Sequence, residues 1–268
     1  MAAPKGLTPD EIIRSSGHSF HSRVVKRLRE LGWAVMVSPY YSDAFTDKPR
    51  EIDIIAERAF AVSDRLRNVY GDVVVRLFIE CKYIAAPTVY WFDAKDMERA
   101  TKRVATDTGS SGPYIGHFFQ DHHHLAPGPV VKLSSTGITR GDEGDAMARA
   151  INQNLNALIY YRHRGDVVIQ RGSGSRTLGR RLTFPIIAVN SFDQCFRTDM
   201  DGANNAVPIG KPFQIEVNYA YKEGETSHNE YFLIDVVSFD SLDAFLEDLI
   251  RYEVKAMSDF GIRNASNL

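Results

Sequence analysis

Apolar positions along the chain switch between two periods. Phe20, Val24, Leu28 and Leu31 recur at helical spacing, and Gly32 follows as a terminator. This predicts a helix from Gly17-His18 to Gly32, with Arg23, Lys26, Arg27 and Arg29 on its other face. Trp33–Val37 reads as a strand, and Ser42–Pro49 as a polar loop. Two segments then concentrate β-branched and aromatic residues, Arg50–Ala56 and Val73–Tyr83, and both read as strands. The charges scattered over 57–72 predict a short insertion between them. Asp93–Ala105 has helix-forming composition, and 106–130 is a loop rich in Gly, Ser, Pro and His. Ala148–Tyr161 carries Ile151, Leu155, Leu158 and Ile159 on one side and reads as a helix. Val167–Ile169 and Leu182–Val189 read as short strands. Phe213–Tyr221 and Tyr231–Val237 form a hairpin around Gly224, and Asp240 or Ser241 then caps a last apolar helix. Strands and helices intermix without repeat or long linker. The expectation is one α/β domain over 17–268 behind a polar lead-in, 1–16.

Bulk composition narrows the function classes. A length of 268 residues suits one large domain, and 44% hydrophobic with 25% charged residues is ordinary for a soluble globular chain. The net charge of −2 excludes a general nucleic-acid coat, so any nucleic-acid site must be a local basic surface. Two cysteines, Cys81 and Cys195, make no disulfide framework, and a reducing cytoplasm is the expected location. No apolar run approaches the roughly 18 residues of a membrane span, and no signal-peptide core follows Met1–Lys5.

Charge inside apolar strands is the informative departure. Side chains alternate along a strand, so Glu80 and Lys82 share a face about 7 Å apart while Cys81 points away. Asp53 contributes a second acid from the earlier strand. Isolated buried charges are costly, so these groups must be solvated, paired or metal-bound. Two carboxylates and a lysine suit a hard divalent cation and the activation of water beside a phosphodiester. A plain ion pair at a sheet edge is the competing explanation.

A helix, a strand, the Asp53 strand and the Glu80-Cys81-Lys82 strand follow in that order. This arrangement resembles the PD-(D/E)xK nuclease superfamily, and within it most nearly the Mrr-like restriction and resolvase branches. The resemblance covers roughly 17–105. It implies a restriction-endonuclease-like core with a mixed central sheet flanked by helices, to which 106–268 adds a C-terminal hairpin and helix. It also implies DNA hydrolysis with Mg²⁺ or Mn²⁺ held by Asp53, Glu80 and the backbone carbonyl of Cys81, with Lys82 orienting water. A part in defence against foreign DNA, with a second copy or a partner protein, comes by the same analogy. One position departs: His21 stands where many relatives carry a helix glutamate, and imidazole suits softer metals than magnesium. Under strand alternation Glu51 shares the Asp53 face and is either the extra carboxylate or a solvated strand-end charge. Two other readings stay open. One is a catalytically inactive nuclease-fold protein that binds nucleic acid. The other is a component of a larger assembly in which Glu80 and Lys82 are structural.

Three further motifs call for chemistry. His122-His123-His124 invites a zinc reading, but three adjacent rings cannot converge on one ion in a regular helix or strand, so a solvated loop is expected. Arg171-Gly172-Ser173-Gly174-Ser175-Arg176 and Gly179-Arg180-Arg181 read either as a solvated hairpin loop or as a phosphate-contacting one. Together with Arg23, Lys26 and Arg27 of the first helix, and Lys95 and Arg99 of the later one, they make the expected nucleic-acid surface. Tyr90-Trp91-Phe92 reads as core packing.

Overall fold

The computed structural model describes residues 8–15, 17–43, 48–63, 69–110, 112–136, 146–162, 164, 167–168, 178–202 and 205–265. Arg171 and Arg176 lie outside them. The strands are β1 (Ala34–Val37), β2 (Tyr40–Ser42), β3 (Pro49–Glu51), β4 (Ile54–Ser63), β5 (Val69–Lys82), β6 (Thr88–Ala94), β7 (Pro129–Thr136), β8 (Leu178–Val189), β9 (Cys195–Asp199), β10 (Val207–Pro208), β11 (Phe213–Glu223) and β12 (Thr226–Ser238). The helices are α1 (Pro9–Ser15), α2 (His18–Glu30), α3 (Met97–Thr108), α4 (Gly112–Phe118), α5 (Ala146–Arg162), α6 (Leu242–Leu249) and α7 (Lys255–Ala265), with a π-helical segment, Ile250–Val254, joining the last two.

Ten strands form one mixed sheet in the order β1-β4-β5-β8-β12-β11-β7-β6-β9-β10, and β2-β3 form a separate ribbon. The α/β class with a mixed central sheet flanked by helices is therefore as the sequence implies. The centre, β5-β8-β12, is parallel, while β1-β4-β5 and β11-β12 pair antiparallel. Both faces of the centre are covered. Ile54, Leu77, Ile79 and Ile186 pack with α2, α6 and α7. Ile55, Phe78 and Ile187 pack with α5. Strands buried on two faces read as continuous apolar runs, which is why β5 and β8 lack alternation.

Several boundaries differ from expectation. Residues 57–72 are no insertion: β4 runs to Ser63 and β5 starts at Val69. The charges that interrupt the pattern, Glu57 and Arg76, are register partners and pair at 2.5 Å inside the sheet. The stretch 42–49 is partly ribbon, because Tyr40–Ser42 pairs with Pro49–Glu51. Asp53 sits at a bend between β3 and β4 rather than within a strand. Asp93 and Ala94 finish β6, so α3 begins later, capped by the Asp96 side chain on the Arg99 N–H at 3.0 Å. It ends at Gly109, whose φ of 61° favours glycine. The expected loop 106–130 contains α4 and the first residues of β7. Val167–Val168 is a bend, and β8 starts at Leu178 rather than Leu182. Ser241 precedes α6 without a side-chain cap; its hydroxyl meets that of Ser238 at 2.9 Å. No described helix is long and apolar enough to cross a membrane.

The Glu57–Arg76 pair is a purely structural charge site. Arg76 also donates to the Tyr161 carbonyl (3.1 Å), and Glu57 accepts the Val168 N–H (2.7 Å). Removing one partner strands a buried charge. Arg76→Leu should therefore cost about 3–5 kcal/mol in urea unfolding, and Glu57→Leu in the same chain should recover part of that loss.

Candidate active site

The two acids and the lysine of the motif meet at one end of β5. The Asp53 Oδ2 accepts the Cys81 N–H at 2.7 Å, and the Glu80 Oε1 accepts the Asp53 N–H at 3.3 Å. Each carboxylate thus rests on main chain beside the other acid. The bend at Asp53 makes this possible. β4 joins the ladder with β5 only from Ile54, paired with Ile79, so Cys81 has no β4 partner and its N–H takes the side chain instead.

Lys82 Nζ lies 2.9 Å from Glu80 Oε2, on the same face of β5. Glu80 is fully buried, whereas Lys82 keeps 21% of its side-chain surface in solvent. Burial, and next the neighbouring Asp53, push the Glu80 carboxyl up to about 7; Lys82 opposes both. Glu80 is therefore a buried acid whose charge balances near neutrality.

His21 reaches the site from α2, but through the main chain. Its Nε2 lies 3.0 Å from the Asp53 carbonyl oxygen, which also accepts the Ser38 N–H at 2.8 Å. A carbonyl can only accept, so Nε2 carries the proton and is not a ligand in this geometry. Glu51 does not join either. It belongs to the β2-β3 ribbon, and its carboxylate accepts the Tyr40 hydroxyl. The face it was expected to share with Asp53 is lost at the bend. The Cys81 backbone is beside Asp53, as the motif requires.

The expected basic surface divides. Lys26 and Arg29 are exposed and, with His21, Ser22 and Glu30, line a cavity of about 440 Å³ next to the Asp53 bend. Arg27 is held by Asp243 and Glu30, and Arg23 lies over the Phe239 ring at 4.3 Å. Lys95 donates to the His124 and Ala126 carbonyls at 3.0 and 2.8 Å, half-buried, and burial lowers its pKa. Arg99 lies 5.5 Å from the Tyr231 ring centre. Arg180 and Arg181 are in β8, not in a loop. They pair with Val73 and Val74, whereas Glu80 pairs with Ile187. Seven ladder positions, about 23 Å, thus separate Arg180 from the acids. Arg180 lies over Phe260, and Arg181 donates to the Arg164 carbonyl at 3.0 Å.

The histidine triplet is the largest surprise. His122 and His124 are buried, and His123 mostly so, around a 3₁₀ turn. They meet Asp235 of β12 and Glu253 of the π-helical segment. Burial would lower His123, but Asp235 and Glu253 outweigh it and push its pKa up to about 10. Burial and the His123 charge lower His122 and His124. Burial would raise Asp235, and the His123 and His124 rings hold it well below the usual carboxylate range. No local signal announces this. The carboxylates come from more than 100 residues away, and only their places on apolar elements hinted at burial.

The chain matches no family model, no curated protein and no solved structure.

The raised Glu80 pKa fixes a pH dependence. Between about 4.5 and 7 the unfolded chain releases a proton that the folded chain keeps, so this residue's contribution to stability falls as pH rises. In metal-free buffer Glu80→Gln should therefore match the parent near pH 5 and exceed it above pH 7, by an amount on the order of 2–3 kcal/mol. Urea unfolding at the two pH values measures this. A variant less stable at both would make Glu80 a structural acid.

Proposed function

We propose that the chain is a metal-dependent nuclease of restriction-endonuclease-like fold that hydrolyses DNA phosphodiester bonds. The observation that carries this is the interlock of Asp53, Glu80 and Lys82 around the Cys81 and Asp53 N–H groups. The donor set fits Mg²⁺ or Mn²⁺. It offers hard oxygen ligands, and burial together with the neighbouring Asp53 raises the Glu80 pKa, a cost that a divalent cation would offset. When bound, such an ion supplies a more acidic water and offsets charge on the phosphate.

The remaining work falls to the chain. Asp53, fixed through Oδ2, presents Oδ1. Glu80 presents the oxygens now turned to Asp53 and Lys82. The Lys82 ammonium, released from Glu80, is the group that orients water or offsets charge on the phosphate. His21 is a positioning residue, since it anchors the Asp53 carbonyl from the second nitrogen of its ring. Phosphates would approach over Lys26 and Arg29. Cytoplasmic location, a defence role and a partner protein or second copy attach to this proposal through the motif's resemblance.

A second reading, a nuclease fold that binds DNA without cutting it, is favoured by one observation: the site has two carboxylates, with His21 turned to the main chain in place of a third. Incubation with plasmid and linear DNA, in Mg²⁺, Mn²⁺ or EDTA, separates the two. Cleavage in metal, lost in EDTA and reduced about 10²-fold or more in Lys82→Ala, supports the nuclease. Salt-sensitive binding with no cleavage in either metal supports the second reading.

The divided basic surface gives its own test. Lys26→Ala with Arg29→Ala should weaken duplex binding and reduce the log–log salt slope by up to about one unit per lost phosphate contact. Arg180→Ala with Arg181→Ala should change it little. The reverse ranking, titrated at several salt concentrations, would move the DNA to the far end of β8.

A further inference from the structure

We propose that His123, His124 and Asp235 bind a first-row divalent transition metal, zinc foremost, at a site separate from Asp53 and Glu80. In a regular helix or strand consecutive rings fan apart. Here the 3₁₀ turn folds two of them together: the His123 and His124 ring centres are 4.1 Å apart. Both Nε2 atoms converge on one oxygen, Asp235 Oδ2, at 3.0 Å from His123 and 3.2 Å from His124. Ligands about 2.0–2.1 Å from a tetrahedral ion are separated by roughly 3.3 Å. The observed edges are within a few tenths of an ångström of that figure. The ligating atoms all lie within 4.8 Å of one another.

The groups behind these three have the roles that metal-binding residues require. Glu253 Oε1 accepts from His123 Nδ1 at 2.8 Å, so a metal at Nε2 would displace only the proton that this nitrogen now shares with Asp235 Oδ2. Glu253 is itself fixed. The His124 N–H donates to His122 Nδ1 at 3.2 Å, so His122 carries its proton on Nε2, 3.3 Å from Glu253 Oε2. Gln214 occupies the other Asp235 oxygen, Oδ1, at 3.2 Å. Lys95 holds the turn through the His124 carbonyl. His123 Nδ1, the His122 ring and Asp235 Oδ1 therefore have partners of their own, and the two Nε2 atoms and Oδ2 face one point.

Two imidazoles and one carboxylate select against magnesium and for zinc, iron or cobalt. Such a set leaves coordination positions open. His123 and Asp235 both line a cavity of about 550 Å³, onto which those positions would face. The site shares no ligand with the acids of β5. Asp235 pairs with Ile186, which pairs with Ile79, so its side chain lies on the face opposite Glu80.

The whole chain, stripped with chelator and titrated with Co²⁺, tests this directly. The expected result is one equivalent bound with the intense visible absorption of low-coordinate cobalt, displaced by one equivalent of Zn²⁺. His124→Gln and Asp235→Asn should each lose at least 100-fold in affinity, and Glu253→Gln about 10–100-fold. Glu80→Gln should keep the signal. No absorption at a large excess of Co²⁺, or a signal lost in Glu80→Gln and kept in Asp235→Asn, overturns the proposal. If the cluster variants do not fold, X-ray absorption of the zinc-loaded parent decides: two imidazoles on the metal support it, and none overturns it.

Discussion

The parallel ladder between β5 and β8 is the constraint on which everything else rests. It runs unbroken from Gly71–Leu178 to Lys82–Val189. β4, with the Asp53 bend, is built on one side of it, and β12, with Asp235, on the other. One buried residue ties the ladder to the helix beneath: Asn154 of α5 donates to the Phe78 carbonyl at 2.9 Å and to that of Ile186 at 2.8 Å. A slip of one position would turn Glu80 to the wrong face of the sheet and break both bonds. Register here is thus specified by a polar group as well as by apolar fit.

Two acid–base pairs on the same face of β5 show how similar residues serve different ends. Arg76 and Glu57 are closed off, with further main-chain partners on each, and have no route to solvent. Glu80 and Lys82 stand two turns of the pleat further on, at the strand's end. There the lysine is partly wet and the acid is close to losing its charge. The first arrangement resists change. The second is poised to exchange its partner.

Much of this was legible in the residues. The helices α2 and α5, the hairpin β11-β12 and the shared face of Glu80 and Lys82 follow from periodicity and alternation, and the place of Asp53 beside them was implied by the motif's resemblance. What stayed hidden depends on contacts between distant segments. Glu57 looked like a loop charge because Arg76, the partner that offsets its burial, lies on the next strand. The bend at Asp53 undid the alternation that linked it to Glu51. Arg180 and Arg181 looked like a glycine-rich loop because their strand starts before its apolar run. His122–His124 looked solvated because their counter-charges, Asp235 and Glu253, reach them only after folding.

The π-helical turn between α6 and α7 has a consequence for how this chain can vary. A π turn is an α-helix carrying one residue more than its hydrogen bonds prefer. Deleting a residue within Ile250–Val254 would relax it to ordinary helix. Because the π turn absorbs that residue, α6 and α7 would keep nearly the same facing. The change would fall on the turn itself, which places Glu253 against His123. The extra residue is therefore tied to the aim of one carboxylate, and a shorter, better-bonded version of this helix would be a poorer part.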